Sequence, residues 1–381
     1  MTQERVKSFN KNHNFKHIIN VAGTMTDLGS SIIVPEAMEA MTSIAPDFIN
    51  MDQLHCEAGK IIAELCGSED GFVTGCAAAG IAISIAGILT KGDAYLTEEL
   101  PNTDPLQRKE VLIQAGHVVN YGSPILQLVK ITGAVPKVVG TSTQCLPYSL
   151  DGAITEKSAL GLYVVSHHTV SYGQLSLEEF SKICHKKGIP VVVDAASEYD
   201  LKGFLKAGAD LVIYSGHKFL GGPTSGFIAG SHELIKAIKV QNNGIGRSMK
   251  IGKESIYGLM MTLKAWQKRD HKAVRKIEET YLHFWEEQLK NLPGVKTIIC
   301  PDPTNNPLDR LQVYLNPDEC GISVVQMEKK LKEYDPSIVI RAHEAELGFF
   351  FLDPCNLHDI DEAKVVIEAI LKNLKNKCVQ N

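Results

Sequence analysis

The sequence predicts an α/β protein with a large, doubly wound, mainly parallel sheet domain and a smaller C-terminal α+β domain. Three observations support this fold class. The 381 residues are enough for two domains. The middle of the chain alternates short apolar runs with longer helical patterns, which is typical of parallel strands covered on both faces. After about residue 250 the pattern changes to long amphipathic helices followed by mixed strands and helices.

The predicted strands of the large domain are nearly unbroken apolar runs. They cover residues 111–113, 138–139, 162–165, 191–193 and 211–214. Between the third and the fourth strand the sequence predicts a helix that begins at Ser176 and stops at Gly188. Ser176 and Glu179 have the spacing of a capping box. Repetition of strand, helix and strand in this way favours a doubly wound domain.

The last third of the chain is predicted to contain long helices and a small mixed domain. One or two long helices are expected over residues 253–292, with further helices over 324–334 and 361–374. Strands are expected over 295–299, 311–315, 338–340 and 348–352. The predicted division is an N-terminal segment (1–50), a large α/β domain (51–250), and the linking helices with the small α+β domain (251–381).

Charge, hydropathy and cysteine pattern argue against several classes of function. The net charge of −5 gives no basis for binding to nucleic acid or to an anionic membrane. No apolar run is long enough to span a bilayer. The nine cysteines are scattered without a Cys-x-x-Cys pair, which predicts reduced thiols in a cytoplasmic protein. No spacing of His and Cys indicates a metal site.

Two polar residues end neighbouring predicted strands. Asp194 follows the apolar run 190–193, and Lys218 follows the run 211–214 and precedes the small residues 221–223. A lysine at a strand end in a partly desolvated site has a lowered pKa and acts as nucleophile and proton carrier. Pyridoxal 5'-phosphate (PLP) requires a Schiff-base lysine and a carboxylate that keeps the pyridinium nitrogen protonated. The pair therefore predicts this cofactor, in preference to a surface lysine and a helix-capping carboxylate.

A strand, a turn of small residues and an apolar helix are predicted over residues 71–89. Free backbone N–H groups at the start of such a helix can bind the cofactor phosphate, and tight packing of helix on sheet is the alternative. Ser215, three residues before Lys218, can add a hydroxyl to the same phosphate. Arg247 lies in a flexible polar segment. It either binds a phosphate across a dimer interface or is an ordinary interface arginine.

Three further residues at the ends of predicted strands are candidates for the site. His117 lies either on the face of the PLP ring or in the core. His168, beside His167, faces the same crevice, since ligands in open α/β sheets bind at the carboxyl ends of strands. A metal is disfavoured at this histidine pair because no third ligand completes it. Arg341 ends a strand of the small domain, where it either holds a substrate carboxylate or forms a structural salt bridge.

These motifs resemble those of the fold-type-I PLP enzymes in the selenocysteine synthase-like group, and most of all those of the D-glucosaminate-6-phosphate ammonia-lyases. The resemblance extends over nearly the whole chain. The matching residues are 19–30, 74–78, 116–117, 120–122, 193–196, 215–218, 221–223, 244–247, 250, 252–254, 341, 347–348 and 353–354.

The resemblance implies the fold, the cofactor PLP and a role for each motif. Lys218 is the Schiff-base lysine and Asp194 is the partner of the pyridinium nitrogen. The residues implied to contact the phosphate are Gly75, Cys76, Ala77 and Ser215, with Arg247 contributed by a neighbouring subunit. The residues expected at the substrate are Thr26, His168 and Arg341.

The resulting hypothesis is a PLP-dependent lyase that removes ammonia from a small amino acid or an amino sugar acid. Lys218, helped by His217, takes the proton from the substrate Cα, a leaving group departs from Cβ, and hydrolysis gives a 2-keto acid and ammonia. The same cofactor also serves a racemase, an aminotransferase or a β-substituting transferase acting on an amino acid. The expected partners are a small-molecule substrate and further copies of the chain, as a homodimer or higher homo-oligomer, without nucleic acid or membrane.

Overall fold

The computed structural model describes residues 15–375, which fall into two compact units. The large unit is Ile33–Arg269. The small unit combines residues 15–32 with residues 270–375. The first 14 residues of the predicted N-terminal segment lie outside the described residues.

Strands and helices alternate through most of the chain. The strands are β1 (Ile18–Val21), β2 (Asp70–Thr74), β3 (Glu110–Gln114), β4 (Val135–Val139), β5 (Ser158–Val164), β6 (Val191–Asp194), β7 (Leu211–Ser215), β8 (Gly226–Gly230), β9 (Val295–Pro301), β10 (Asp309–Leu315), β11 (Ser337–Ile340) and β12 (Phe349–Leu352). The helices are α1 (Pro35–Ile44), α2 (Met51–Cys66), α3 (Ala77–Thr90), α4 (Ala94–Glu99), α5 (Ile125–Lys130), α6 (Pro147–Ala153), α7 (Leu177–Lys186), α8 (Gly203–Lys206), α9 (His232–Val240), α10 (Lys253–Lys268), α11 (His271–Leu289), α12 (Pro317–Cys320), α13 (Val324–Glu333) and α14 (Ile360–Lys375).

The large unit is built on a seven-stranded sheet in the order β2-β8-β7-β6-β5-β3-β4. All pairs among β3, β4, β5, β6 and β7 are parallel, whereas β8 runs antiparallel to both β7 and β2. Each strand predicted for the large domain is present, and the mainly parallel α/β sheet is confirmed. Strand β8 is absent from the sequence prediction, because only three apolar residues stand between its terminal glycines.

Both faces of this sheet are buried, as its unbroken apolar strands indicate. In β6, Val191 and Val193 belong to the apolar cluster on one face, and Val192 belongs to the cluster on the other. Helices α2, α7 and α10 contribute to the first cluster and helix α3 to the second. Polar groups of the inner strands are therefore found where the strands end.

Helix α7 starts and stops where the sequence predicts. The Ser176 hydroxyl accepts a hydrogen bond from the Glu179 N–H, and the Glu179 carboxylate accepts one from the Ser176 N–H, so the capping box is complete. Gly188 lies just past the helix with φ +69°, in the left-handed region that favours glycine.

The small unit has the α+β composition that the sequence predicts. Strand β1 pairs in parallel with β11, and β12, β10 and β9 form an antiparallel sheet in that order. Both sheets share one apolar core with helices α11, α13 and α14. The indole N–H of Trp285, at the centre of this core, donates to the carbonyl of Ala363 at 2.9 Å.

The structure divides the chain at other places than the predicted residues 50 and 250. Strand β1 belongs to the small unit, because it pairs with β11. Helix α10 belongs to the large unit, because Ile256 and Leu259 pack into the same apolar cluster as Ala58 and Ile62 of α2. An amphipathic helix shows that it has a buried face but not which core covers that face.

Neither a membrane span nor a disulfide occurs within residues 15–375. No helix in this range is both long and apolar enough to cross a bilayer. Every cysteine in the same range is a free thiol.

Candidate active site

The carboxyl ends of β6 and β7 carry the two groups on which the cofactor prediction depends. These strands are parallel neighbours, and Asp194 is the last residue of β6. Strand β7 ends at Ser215, and a tight turn then leads to Lys218. The turn is closed by the Gly216 N–H, which donates to the Ser225 carbonyl at 2.9 Å. Lys218 thereby comes close enough to Asp194 for each charge to act on the pKa of the other.

The Lys218 amine is desolvated and bonded to a hydroxyl. Its Nζ donates a hydrogen bond to Ser197 Oγ at 2.5 Å. Burial lowers the pKa of Lys218, while the carboxylates of Asp194 and Glu198 act in the opposite direction. A lowered pKa increases the fraction of neutral amine, which is the form that attacks a carbonyl and accepts a proton.

Asp194 is a buried carboxylate with acceptor capacity to spare. It is 4% exposed, and its Oδ1 accepts a hydrogen bond from the Ala196 N–H at 3.3 Å. Burial raises the pKa of Asp194 to about 6, against the opposing effects of Lys218 and of the Ala196 N–H. The group is therefore mainly ionised at pH 7. Since a carboxylate has about four lone-pair positions, it can also accept the N–H of a protonated ring nitrogen.

The turn between β2 and α3 forms a cradle of backbone groups. Cys76 caps helix α3, because its Sγ accepts a hydrogen bond from the Ala79 N–H at 3.4 Å. A Cβ on Gly75 would lie 2.9 Å from the carbonyl oxygen of Met249, so glycine allows that close approach. The first N–H groups of an α-helix have no partner within the helix and favour an anion.

A cavity of about 390 Å³ adjoins this cradle. It is lined by Gly75, Cys76, Ala78, Ala79, Leu128, Ile131, Met249 and Lys250. The small residues leave the backbone N–H groups at the start of α3 accessible, and Lys250 adds a positive charge to a lining that is otherwise apolar. The residues present thus fit PLP, with Lys218 for its carbonyl carbon, Asp194 for its ring nitrogen and the cradle for its phosphate.

Ser215 and His217 are joined within the lysine turn. His217 Nδ1 lies 3.2 Å from Ser215 Oγ and 3.2 Å from the Ser225 carbonyl oxygen. Because a carbonyl oxygen only accepts, Nδ1 carries a proton. Burial lowers the pKa of His217, the Ser225 carbonyl raises it and the Lys218 charge lowers it. The imidazole is therefore a neutral ring held by its own turn. Its help to Lys218 and the contact of Ser215 with phosphate stay predictions.

His117 lies beyond the end of β3 and is 2% exposed. Its Nδ1 accepts a hydrogen bond from the Val164 N–H at 3.2 Å, and its ring meets that of Tyr163 edge-on at 4.4 Å. Burial lowers the pKa of His117 to about 4, so the ring is neutral and its proton is on Nε2. Both contacts are with β5, the strand next to β3. The predicted position against the cofactor ring stays a prediction.

Two other predicted residues of the large unit are exposed. His168 follows β5 and lies beside His167, with ring centroids 3.8 Å apart. This loop is anchored by the Val170 N–H, which donates to the Gly116 carbonyl at 2.9 Å. Arg247 lies in the 3₁₀ segment Ile245–Met249 and is also exposed. The contact of His168 with substrate and the contact of Arg247 with a neighbouring subunit's cofactor stay predictions.

Thr26 and Arg341 belong to the small unit. Thr26 is exposed in the 3₁₀ segment Thr26–Leu28. The backbone N–H of Arg341 donates to the Phe351 carbonyl, and the Phe351 N–H donates to the Arg341 carbonyl. The side-chain Nε of Arg341 is buried without an acceptor among residues 15–375. Burial and the neighbouring Arg310 lower the pKa of Arg341, and the carboxylates around it raise the pKa. An arginine whose Nε lacks an acceptor retains capacity for an external carboxylate.

Three residues close to these groups have no role in the sequence prediction: Tyr121, Ser197 and Glu198. Desolvation and the charge of Asp194 raise the pKa of Tyr121, whose side chain is 36% exposed. Ser197 binds Lys218, and the charge of Glu198 acts on the same amine. The sequence signal that could have identified Ser197 and Glu198 is their position in the turn directly after Asp194.

This arrangement of sheet, lysine and carboxylate is that of the fold-type-I PLP-dependent enzymes, and both the fold and the cofactor predictions are confirmed. The chain belongs to the L-seryl-tRNA selenium transferase family, whose sequence model matches residues 18–292.

Proteins with different names are similar to this chain over nearly the same length. D-glucosaminate-6-phosphate ammonia lyase of Salmonella typhimurium (strain 14028s / SGSC 2262) is 36% identical over 351 residues, 92% of this chain and 94% of the relative. A 5'-C-glycyluridine monooxygenase-decarboxylase of Streptomyces sp is 32% identical over 353 residues, 92% of this chain and 88% of the relative. A solved structure of D-glucosaminate-6-phosphate ammonia-lyase is similar with a TM-score of 0.88 and 34% identity, over 97% of this chain and 99% of that one. The resemblance predicted from the motifs is confirmed.

Proposed function

We propose that the protein is a PLP-dependent ammonia-lyase that acts on a small amino acid or an amino sugar acid with a hydroxyl group on Cβ. One observation carries the proposal: the desolvated Lys218 amine lies beside the buried Asp194, in a chain similar over 92% of its length to an ammonia lyase. The products are a 2-keto acid and ammonia.

Asp194 and the cradle orient the cofactor, and Lys218 moves the proton. When bound, PLP supplies an electron sink for the charge that develops on the substrate Cα. Asp194 keeps the proton on the ring nitrogen, because its buried carboxylate is mainly ionised at pH 7. The N–H groups at the start of α3 hold the phosphate. The Lys218 amine takes the Cα proton and carries it as an ammonium group.

The atoms balance over the elimination. The Cα–H electron pair forms the Cα–Cβ double bond, and hydroxide leaves Cβ with the electrons of the broken C–O bond. Lys218 returns its proton to the hydroxide, so water departs. The unsaturated amine then takes up one water molecule and releases ammonia, which leaves a 2-keto acid.

Arg341 is our candidate for binding the substrate carboxylate. Its Nε is buried without an acceptor among residues 15–375, and the nearby Arg310 already occupies the carboxylates of Asp302 and Asp353. A guanidinium with an N–H group to spare suits a carboxylate. Thr26 and His168 are further candidates at the substrate. Thr26 lies in the N-terminal segment that carries the resemblance, and His168 follows the carboxyl end of β5.

We further propose a cytoplasmic homodimer or higher homo-oligomer without a nucleic-acid partner. Free thiols within residues 15–375 support a reducing compartment, and the net charge of −5 argues against binding of a tRNA. The exposure of Arg247 is compatible with its predicted contribution to a neighbouring subunit's phosphate site.

The test combines a spectrum, a covalent map and an assay. The purified protein is expected to absorb near the visible edge, to lose that band with borohydride, and to carry the reduced label on Lys218. Amino acids and amino sugar acids are then screened for keto acid and ammonia in equal amounts. A missing band after addition of PLP would refute the cofactor site. Interconversion of D and L substrates without ammonia would replace the lyase by a racemase.

A further inference from the structure

Ser30 combines two unfavourable features that the fold of the small unit does not explain. The residue is 1% exposed, and its Oγ has no hydrogen-bond partner among residues 15–375. Its backbone φ is +67°, in the left-handed region that favours glycine. A glycine at this position would avoid both the backbone strain and the burial of an unsatisfied hydroxyl. Strained residues and unsatisfied polar groups cluster at sites that bind a ligand.

Hydrogen bonds hold the backbone of Ser30 in this conformation. Its N–H donates to the Met25 carbonyl at 2.8 Å. The side-chain amide of Asn356 donates to the Gly23 carbonyl at 2.9 Å and to the Ser30 carbonyl at 3.4 Å. One side chain therefore closes the loop between Gly23 and Ser30, and the position of Ser30 is fixed at both of its backbone groups.

The loop that carries Ser30 starts at the same sheet edge as Arg341. Strands β1 and β11 are parallel, and Val21 at the end of β1 is paired with Ile340 at the end of β11. The loop follows Val21 directly, and Arg341 follows Ile340 directly. Both therefore leave the sheet at its carboxyl edge.

Asp353 joins this loop to the strand that pairs with Arg341. Its N–H donates to the Val21 carbonyl at 2.9 Å, and a Cβ on Gly23 would lie 2.9 Å from its Oδ2. Glycine at position 23, with φ +92°, allows that close approach. Two residues before Asp353, Phe351 exchanges both backbone hydrogen bonds with Arg341. The loop with Ser30 thus lies beside Arg341 within the small unit.

Two hydrogen-bond donors remain for a ligand in this region. Arg310 already donates to two carboxylates, whereas the Arg341 Nε has no acceptor among the described residues. The Ser30 hydroxyl is the second donor. Burial and the charge of Arg310 lower the pKa of Arg341 against the surrounding carboxylates, so an added negative charge is favourable there. A carboxylate fits both donors, since it accepts about four hydrogen bonds.

We propose that Ser30 is a substrate-binding residue, whose hydroxyl donates to the same substrate carboxylate that Arg341 holds. The inference rests on the proposed function and deepens it, because it adds a second donor for that carboxylate. The substrate supplies the acceptor that the Ser30 hydroxyl lacks within residues 15–375. Replacement of Ser30 by glycine should therefore weaken substrate binding and stabilise the protein at the same time.

The experiment measures binding of D-glycerate and D-gluconate to the full-length chain, saturated with PLP, by calorimetry. Both acids carry a carboxylate and hydroxyl groups but no amine, so they bind without reacting. Ser30→Gly is expected to raise both dissociation constants about tenfold, because a hydrogen bond to a charged acceptor is lost. Without ligand, the same variant is expected to melt about 2 °C higher or more, because backbone strain and the buried hydroxyl are removed.

Two further variants and an uncharged probe calibrate this result. Arg341→Gln is expected to weaken binding of both acids, and adding Ser30→Gly to it should cost less than in wild type, because the donors share one carboxylate. Asn305→Gly makes a similar change at an exposed residue of the same unit with φ +63°, and is expected to leave both dissociation constants unchanged. Glycerol, which lacks the carboxylate of glycerate, is expected not to bind.

Four results would overturn the proposal. They are wild-type dissociation constants in Ser30→Gly, no binding of either acid to the wild type, a lower melting temperature of Ser30→Gly, and binding of glycerol that Ser30→Gly weakens. The third would assign the hydroxyl to folding, and the fourth would assign it to a substrate hydroxyl. Failure of the proposed function would appear separately, as a missing cofactor band or as no release of ammonia, and neither enters the binding measurements.

Discussion

Burial acts in opposite directions on two neighbouring residues of the site. It lowers the pKa of Lys218 and raises that of Asp194 to about 6, and each charge offsets part of the effect on the other. When the cofactor is bound, Asp194 would hold its protonated ring nitrogen, so the buried carboxylate would be paired with a positive charge.

At this scale the first prediction concerns the lysine itself. Lys218→Ala is expected to reduce turnover about 10³-fold or more, because the proton carrier and the covalent attachment are both lost. The measurement is keto-acid release, with a thermal melt to confirm folding. Lys202→Ala, an exposed lysine of the same unit, is the matched control and should keep full activity. A fully active Lys218→Ala enzyme would contradict the assignment.

The second prediction uses the raised pKa of Asp194. Only the ionised carboxylate holds the ring proton, so its contribution to PLP affinity is present above about pH 6 and is lost as the pH falls through that value. The ratio of dissociation constants, Asp194→Asn over wild type, is expected to be large at pH 7.5 and to approach one near pH 5. The ratio cancels the titration of the cofactor's own groups. A ratio that does not change with pH would be inconsistent with this role.

At the scale of elements, local patterns explain what could be predicted. The strands β3 to β7 are buried on both faces, so each appears in the sequence as an apolar run. The capping box at Ser176 is a local signal as well. Strand β8 could not be predicted in this way. Glycines stand at both of its ends, and the three apolar residues between them are too short a run to indicate a strand.

The third prediction concerns the contact between β8 and the phosphate cradle. A Cβ on Gly226 would lie 2.5 Å from the carbonyl carbon of Cys76, so Gly226→Ala forces the start of α3 away from the strand. We expect a loss of about 1–3 kcal/mol in stability and at least tenfold weaker binding of PLP. Gly152→Ala has no atom within 4 Å of the added carbon and serves as the control. Unchanged binding in Gly226→Ala would show that the cradle tolerates the shift.

At the scale of the whole molecule, the site brings together residues that are far apart in the sequence. No local pattern shows which of these residues meet. The pair Asp194 and Lys218 could be predicted because a strand end precedes each of them. The buried position of Glu198 could not, since a Ser-Glu sequence after a strand is equally common on a surface. The domain boundaries differ from the predicted ones for the same reason, because packing partners decide to which unit a helix belongs.

The fourth prediction concerns the stability of the small unit. Arg310 donates to Asp302 at 2.6 Å and to Asp353 at 2.8 Å, and all three side chains are buried. Arg310→Leu leaves two buried carboxylates unpaired and is expected to cost about 3–5 kcal/mol of unfolding free energy. Denaturant titration measures this loss of unfolding free energy. Lys332→Leu, which breaks an exposed pair with Glu328, should cost less than about 1 kcal/mol.

The pH dependence of this loss provides its check. Burial pushes the pKa of Asp302 up, but its bonds with Arg310 and Thr304 outweigh burial and leave the pKa below the usual 3.8. The stabilisation is therefore complete above that value and is lost as the pH falls through the lower, folded-state pKa. The gap between wild type and Arg310→Leu should narrow in acid. A gap that widens there would contradict the pairing.

The pairing of β2 with β8 has a consequence for biosynthesis. Strand β2 contains Asp70, which pairs with Gly230, so its ladder cannot form until some 160 further residues have been made. The segment that precedes helix α3 therefore leaves the ribosome long before its partner strand does, and pairings between distant segments form slowly. Binding of the cofactor would then have to wait until β8 has been made. A nascent chain that stops before β8 would expose the unpaired edge of β2, which favours aggregation.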